Sequence, residues 1–451
     1  MEWINTNDVI KARYNPRKIG EDKLDLLAES IEKIGFIIPI IVNYENNTIV
    51  AGHQRTTTAR KLGVEKIPAF YIKNITISDE IVFNQIHNGS EDLFKTNGTV
   101  FGITEKEKFT QIDYRNVTID RHKVNMASVN QICKMIFKYG NVFSSIVCRG
   151  KILFQNEYAY ACTILRKPIN AYICDDSKYD DIVKYFNVSY GEFSYDHLKK
   201  HTFVQGLAQL HRDVKNNKKK SVLYEKLVLP WLKKNEVKTI LDFGCGNGNY
   251  INILKEYYQA LGLEFYNHDA TRKINVSKGN RQIDDLIDYI NNNGREFDLV
   301  VCDSVLNSVD SLKAEKSVMA CLNLFSKKDC FIAGITVEKI YDFIEANKVG
   351  RMMNKIKYLD KDNFTADFRN GQWYYQKYHS EEDVRELAEK SGFEVVDYQE
   401  PSGAFKVHLR KIRNLSREEY KEAINFEFNL PLPNEKTYNR HKDMLKALEL
   451  M

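Results

Sequence analysis

The stretch "VKTILDFGCGNGNY", residues 237–250, restricts the fold more than any other part of the chain. An apolar run of strand formers reaches Asp242, glycines follow at alternate positions (Gly244, Gly246, Gly248), and "YINILKEYYQ" continues at helical spacing. Glycine inside a helix or strand is destabilising by roughly 0.5–1 kcal/mol relative to alanine, so three together mark a turn. A strand-to-helix turn of this kind takes left-handed backbone angles and lets a ligand lie against the chain. The spacing predicts an α/β unit with a ligand at the carboxyl end of the strand. Alone, G-x-G-x-G fits any nucleotide-binding α/β unit.

The residues downstream extend the pattern. "ALGLE" reads as a second strand ending in Glu264, about 20 residues beyond Asp242, where a carboxylate can accept both ribose hydroxyls. "EFDLVVCDSVLNSV" (296–309) is a further strand, then come the helix "LKAEKSVMACLNLF" and the strand "CFIAGIT". The helix "SEEDVRELAEKSGF" leads into the strand pair "EVVDYQE" and "AFKVHLR". This order resembles the class I S-adenosylmethionine-dependent methyltransferases over about residues 222–413. The resemblance implies a Rossmann-like, seven-stranded domain that ends in a reversed strand pair. It also implies that Asp242, Gly244, Gly246 and Gly248 take the methionyl part of S-adenosyl-L-methionine and Glu264 its ribose, with Asp303 and Ser304 near the sulfonium. A NAD-binding Rossmann domain is the rival; it would show G-x-G-x-x-G and lack the reversed pair.

The methyl acceptor is less constrained. Amino-directed DNA methyltransferases carry an Asp/Asn-Pro-Pro-aromatic box where this chain reads "CDSVLNSV", and no Pro-Cys of the cytosine-C5 type occurs. Standard base methylation is therefore disfavoured. The "VLN" turn resembles a group of bacterial methyltransferases found beside DNA-modification systems. "FTADFRNGQWYYQKY" reads as a hairpin about Asn370-Gly371, whose Trp373, Tyr374 and Tyr375 either cap a flat substrate or pack on the core. Asp303 and His379 are the weak catalytic candidates. His379 fits a base for a hydroxyl acceptor, although a lone histidine is more often structural.

A second glycine turn lies near the start, in "NTIVAGHQRTTTARKLG". Leu24, Leu27, Ile31 and Ile34 recur at helical spacing, two short strands follow about Glu45-Asn46-Asn47, and Gly52 then opens another helix. A helix N-terminus behind a glycine, with Arg55 one turn in, is the geometry of an anion site. Over roughly residues 3–95 this order, with "NPR" (15–17) ahead of it, resembles the ParB/sulfiredoxin-like superfamily. The resemblance implies that Gly52, His53 and Arg55 cradle phosphates of a nucleoside triphosphate, with Arg17 nearby. Asn84 and Asn88 stand where the family's later box has an acid and an arginine, which puts hydrolysis in doubt. No cysteine lies within Gly52–Arg55, which excludes sulfiredoxin chemistry.

Residues 129–176 shadow residues 28–74: Gly140 falls where Gly35 does, "SSIV" where "PIIV" does, and "QNEY" (155–158) where "GHQR" does. Either a degenerate second copy has kept its core and lost its anion site, or two unrelated α/β segments share an ordinary order. The expected organisation is 1–95, a ParB/sulfiredoxin-like domain; 96–200, the degenerate copy; 201–413, the methyltransferase; and 414–451, a docked C-terminal arm.

A net charge of +5 permits a polyanionic partner without marking one. Eight cysteines without a C-x-x-C pair fit reduced thiols in a cytoplasmic protein, and no metal site is expected. No apolar run is long enough to span a membrane. The expected function is a methyltransferase of DNA or nucleotide modification with a nucleotide- or DNA-binding module. A small-molecule O-methyltransferase and a ParB-like regulator with an inactive methyltransferase domain are the alternatives.

Overall fold

In the first unit, Met1–Ser194 with Phe343–Asp367, a small sheet forms around a strand that is apolar on both faces. The elements run β1 (Glu2–Asn5), α1 (Glu21–Ile34), β2 (Ile40–Asn43), β3 (Ile49–Ala51), α2 (His53–Lys61), β4 (Lys66–Ile72) and α3 (Ile77–Gly89). β2 is buried at every residue because it lies inside the order β1-β4-β2-β3, parallel to β4 and antiparallel to β3. The computed structural model describes the chain apart from residues 16, 90–97, 103–106, 122–123, 189, 191, 194–219, 269–273, 341–358, 360–361, 370–371 and 433–436. The basic stretch "HRDVKNNKKKS" (211–221), which the sequence suggests is a solvated connection, therefore lies almost wholly outside the described residues.

The same unit continues with β5 (Thr99–Val100), β6 (Lys108–Ile112), β7 (Val117–Thr118), α4 (Met126–Tyr139), β8 (Ser145–Cys148), β9 (Lys151–Phe154), α5 (Asn156–Leu165), β10 (Ile169–Ile173) and α6 (Tyr179–Phe186). Their sheet order is β6-β10-β8-β9-β5-β7. Its first four strands repeat the antiparallel, parallel, antiparallel pairing of β1-β4-β2-β3. The two halves share their cores. One cluster joins Ile41, Val50 and Phe83 to Val129, Phe143 and Tyr158, and Phe83 stacks on Phe143 at 5.0 Å. Another joins Ile34, Ile37 and Ile38 to Phe154, Ile182 and Tyr185. The packing is reciprocal, with α3 against α4 and α6 against α1.

The second unit, Tyr195–Asp342 with Phe368–Met451, is a mostly parallel sheet. Its strands and helices are β11 (Thr239–Phe243), α7 (Asn249–Leu254), β12 (Gln259–Leu263), α8 (Val276–Asn293), β13 (Phe297–Asp303), α9 (Leu312–Phe325), β14 (Ser326–Ile335), α10 (Glu381–Lys390), β15 (Phe393–Gln399), β16 (Ala404–Lys411), α11 (Arg417–Glu427) and α12 (His441–Ala447). The order is β12-β11-β13-β14-β16-β15, with β16 antiparallel to both neighbours, which is the reversed terminal pair.

Six strands are described where seven were expected. Beyond Glu264, His268 and Ile274 form an isolated bridge and α8 begins at Val276, so among the described residues β12 is the edge strand. The lead-in helix carries a π turn, Tyr224–Val228. Strands Phe364–Arg369 and Gln372–Lys377 flank Asn370 and Gly371, which themselves lie outside the described residues.

The C-terminal segment, expected above as a docked arm, carries a helix toward each end. α11 packs on α9 and α12 on α8. Tyr420 donates to Asn323 at 2.5 Å, and the Tyr438 hydroxyl donates to the Phe265 carbonyl at 2.6 Å. No helix among the described residues is long and apolar enough to cross a membrane.

Candidate functional site

β11 ends between two parallel neighbours, which aims its carboxyl end at open space above the sheet. Gly244 has a φ of +88°, and a Cβ there would sit 2.2 Å from Cγ2 of Val305. Gly246 has a φ of +56° with no heavy atom within 4 Å of its would-be Cβ, so any side chain there would enter the cavity. Glu264 ties this loop to the end of β12: Oε2 accepts from the Gly246 N–H at 2.9 Å and Oε1 from the Tyr266 N–H at 2.7 Å.

Tyr224 of the lead-in helix and Ser221, just ahead of that helix, orient the other acids. The Tyr224 hydroxyl donates to Asp242 Oδ2 at 2.7 Å, and Tyr224 stacks on Tyr250 with centroids 4.0 Å apart. Burial, then the charge of Asp242, pushes the Tyr224 phenol well above its ordinary range, which keeps it a donor. The Ser221 hydroxyl donates to Asp303 Oδ2 at 2.6 Å, and the Ser304 hydroxyl donates to Oδ1 at 3.0 Å.

A cavity of about 450 Å³ opens on these groups. Asp242, Gly244, Gly246, Glu264, Asp303 and Ser304 are all on its wall; Gly248, the N-cap of α7, is not, although Asn247 and Asn249 on either side of it are. His379 is not on the wall. It is 1% exposed, and its Nε2 lies 2.5 Å from the Glu315 carboxylate. Of the hairpin aromatics, Tyr375 reaches the cavity; the side chains of Trp373 and Tyr374 lie outside the described residues.

Sequence reasoning missed Tyr224, Ser221, Asp310 and Glu427. Only Glu427 left a signal, a carboxylate on the buried stripe Tyr420, Ala423, Ile424 of α11. Burial, then Asp310, pushes Glu427 up to about 8.

The first unit holds a smaller cavity, about 120 Å³, beside the other glycine turn. Gly52 caps α2 with a φ of +98°, and a Cβ there would lie 2.5 Å from Ile40 Cγ2. Gly52, His53 and Arg55 share the cavity wall with Phe36 and Ile38, and with Phe154, Tyr185 and Phe186 of the second half. The Arg55 guanidinium donates to the Ile38 carbonyl and lies 5.9 Å from the Phe36 ring centre. It makes no ion pair with a described residue, and burial lowers its pKa to about 10, so it stays charged at neutral pH.

His53 is 4% exposed, its Nε2 accepting from the Ala12 N–H at 3.2 Å. Burial, then the Lys11 charge, lowers it to about 3, so it is a neutral ring that positions the turn. Arg17 lies in a two-residue strand paired with Glu192–Phe193, and its side chain lies outside the described residues.

In the second half, Gln155 holds the same left-handed cap position at φ +60°. Tyr158 is turned fully inward, donating to Asn141 at 2.7 Å and accepting from the Asn170 N–H at 2.9 Å.

Residues 1–89 match the ParB N-terminal domain family and residues 216–398 match a methyltransferase domain family. The chain is 40% identical over 85 residues to a nucleoid occlusion protein of Bacillus cytotoxicus, covering 18% of this chain and 29% of that protein. It is 41% identical over 80 residues to the counterpart in Bacillus cereus, covering 17% and 27%. The chain thus spans less than a third of the curated relatives that it matches.

Among solved structures, a S-adenosylmethionine-dependent methyltransferase from Clostridium acetobutylicum is 12% identical. It covers 46% of this chain and 96% of that one, with a TM-score of 0.31. The partitioning protein ParB of Caulobacter crescentus, complexed with CTP-gamma-S, is 16% identical over 30% of this chain and 62% of that one, with a TM-score of 0.18. The chain therefore carries a ParB N-terminal domain followed by a methyltransferase domain.

Proposed function

We propose that this chain is an S-adenosyl-L-methionine-dependent methyltransferase of DNA or nucleotide modification whose ParB-like domain binds a nucleoside triphosphate or a nucleic-acid backbone. The observation that carries the reading is the single cavity whose wall gathers Asp242, the glycine loop, Glu264, Asp303 and Ser304. The loop fits a cofactor sterically, since Gly246 leaves open the space that a side chain would fill.

The bound cofactor supplies an electrophilic methyl group on a sulfonium, and the residues of the chain supply position. Glu264 would hold the ribose hydroxyls, and Asp242 the methionyl amine. Asp303, fixed by Ser221 and Ser304, faces the acceptor end. In-line displacement needs alignment more than acid–base help, so fixing these carboxylates is what the fold contributes. The charged Arg55 beside an α2 N-terminus gives the ParB-like domain its anion site.

The full-length chain with labelled S-adenosylmethionine is expected to transfer methyl groups to duplex DNA or to a nucleotide pool, read by mass spectrometry of the digested products. Transfer to a sugar or another small hydroxyl compound alone would overturn the acceptor reading.

Tyr224→Phe keeps the stack on Tyr250 and removes the donor to Asp242. Its affinity for S-adenosylhomocysteine is expected to drop by about 0.5–1.5 kcal/mol, the usual net worth of one hydrogen bond. Calorimetry showing wild-type affinity in the variant would mean that Asp242 needs no such support.

A further inference from the structure

We propose that Glu427 and Asp310 read the hydrogen-bonding edge of an adenine base in the large cavity, so that the C-terminal helix α11 sets the base specificity of the cleft. The inference rests on the cofactor reading above and adds residues beyond the matched methyltransferase region, 216–398.

Glu427 is 3% exposed, stands on the cavity wall with Asp310, Tyr266 and Leu430, and makes no hydrogen bond or ion pair with a described residue. A buried carboxyl without a protein partner is costly unless it is neutral or met by a ligand. Its elevated pKa leaves it protonated at neutral pH, able to donate while keeping an acceptor oxygen. Asp310, just ahead of α9, brings a second carboxyl to the same wall. With the protonated Glu427 carboxyl next to Asp310, the wall offers a donor beside carboxyl acceptor oxygens. Adenine presents the complement, a ring-nitrogen acceptor beside a 6-amino donor.

The position agrees. Tyr266 lies two residues beyond the ribose ligand Glu264, and Phe265 between them packs edge-on against Phe428, the neighbour of Glu427, at 5.3 Å. A base attached to a ribose at Glu264 thus has this wall beside it. The core sheet lacks a described strand beyond β12, and the tail covers that side instead.

The test is calorimetric titration of the full-length chain with S-adenosylhomocysteine and S-inosylhomocysteine, in which the 6-amino group is an oxo group and the ring nitrogen a donor. The wild type is expected to prefer the adenine compound by about tenfold or more, since a site built for a hydrogen-bonding edge rejects the analogue that mismatches it. Glu427→Leu and Asp310→Asn should each weaken S-adenosylhomocysteine and bring the preference to within about threefold, as expected when a matched partner is lost. Glu427→Gln, which keeps a donor and an acceptor, should retain most of the preference. Wild-type affinity and preference in both Glu427→Leu and Asp310→Asn would overturn the proposal and leave the cofactor reading standing. Loss of methyl transfer in Glu427→Leu with unchanged binding of both compounds would place the pair at the acceptor and also overturn it. Binding of neither compound by the wild type would overturn both readings.

Discussion

Valine in place of Gly246 is expected to abolish S-adenosylhomocysteine binding by the full-length chain while leaving it folded. Nothing lies within 4 Å of a Cβ at this position, so the new side chain enters the cavity without displacing protein atoms. The left-handed backbone, φ +56°, costs a branched residue roughly 1–2 kcal/mol, a tolerable fraction of the stability of a domain. The bulk stands where the cofactor must approach, and the loop that Glu264 fixes through the Gly246 N–H can no longer close on a ligand. Calorimetry should show saturable binding in the wild type and none in Gly246→Val, with the cooperative unfolding transition kept. Saturable binding by the variant would sink the cofactor assignment. Gly244→Val should behave differently, because its Cβ collides with Val305 at 2.2 Å and the damage falls on folding.

Arg55→Ala and Tyr158→Ala, equivalent by position in the two halves of the first unit, are expected to fail in opposite ways. Among the described residues Arg55 bonds to the Ile38 carbonyl and pairs with no acid, and it stands beside a helix N-terminus. Its removal should weaken binding of CTP, ATP or duplex DNA by about 1.5–3 kcal/mol, the loss of charge-assisted hydrogen bonds, with stability little changed. Tyr158 is fully buried in the cluster that joins the halves, and its hydroxyl is bonded twice. Tyr158→Ala should lower unfolding stability by about 3–5 kcal/mol, the range for emptying an aromatic site in a core. Denaturant melts and ligand titrations of both variants check this. Salt separates the ligands, since a DNA backbone contact weakens steeply with salt and a small nucleotide less so. If both variants bind all three ligands like the wild type, the Gly52 turn is only a turn.

What could be read from the sequence was what short-range chemistry dictates. The turn "GCGNG" announced its left-handed backbone because glycine is the residue that accepts it without strain, and Glu264 stood out as a carboxylate at the end of a strand. The recurrence of helix, hairpin, helix and strand was legible from the apolar pattern, and the pairing of strands repeats with it.

Long-range partners were not legible. The bond from Tyr224 to Asp242 depends on where the lead-in helix crosses the sheet, and the arrival of Glu427 in the cavity on how α11 packs against α9. Neither is encoded within a window of neighbouring residues. Gln155 shows the reverse failure: a non-glycine holds the left-handed cap that Gly52 holds, so the missing glycine did not remove the turn. The seventh strand was expected from the resemblance alone, and among the described residues the sheet ends at β12.

Separate protomers part on dilution, whereas the two halves of the first unit are joined covalently and through a common core. Each half is held at an effective concentration fixed by the chain, whatever the amount of protein in solution. Because Phe154, Tyr185 and Phe186 wall the Arg55 cavity from the second half, both sides of that wall come from one chain. If the proposed ligand fills that cavity, its occupancy is expected to follow free ligand alone, a hyperbola whose midpoint stays fixed when the titration is repeated at lower protein concentration.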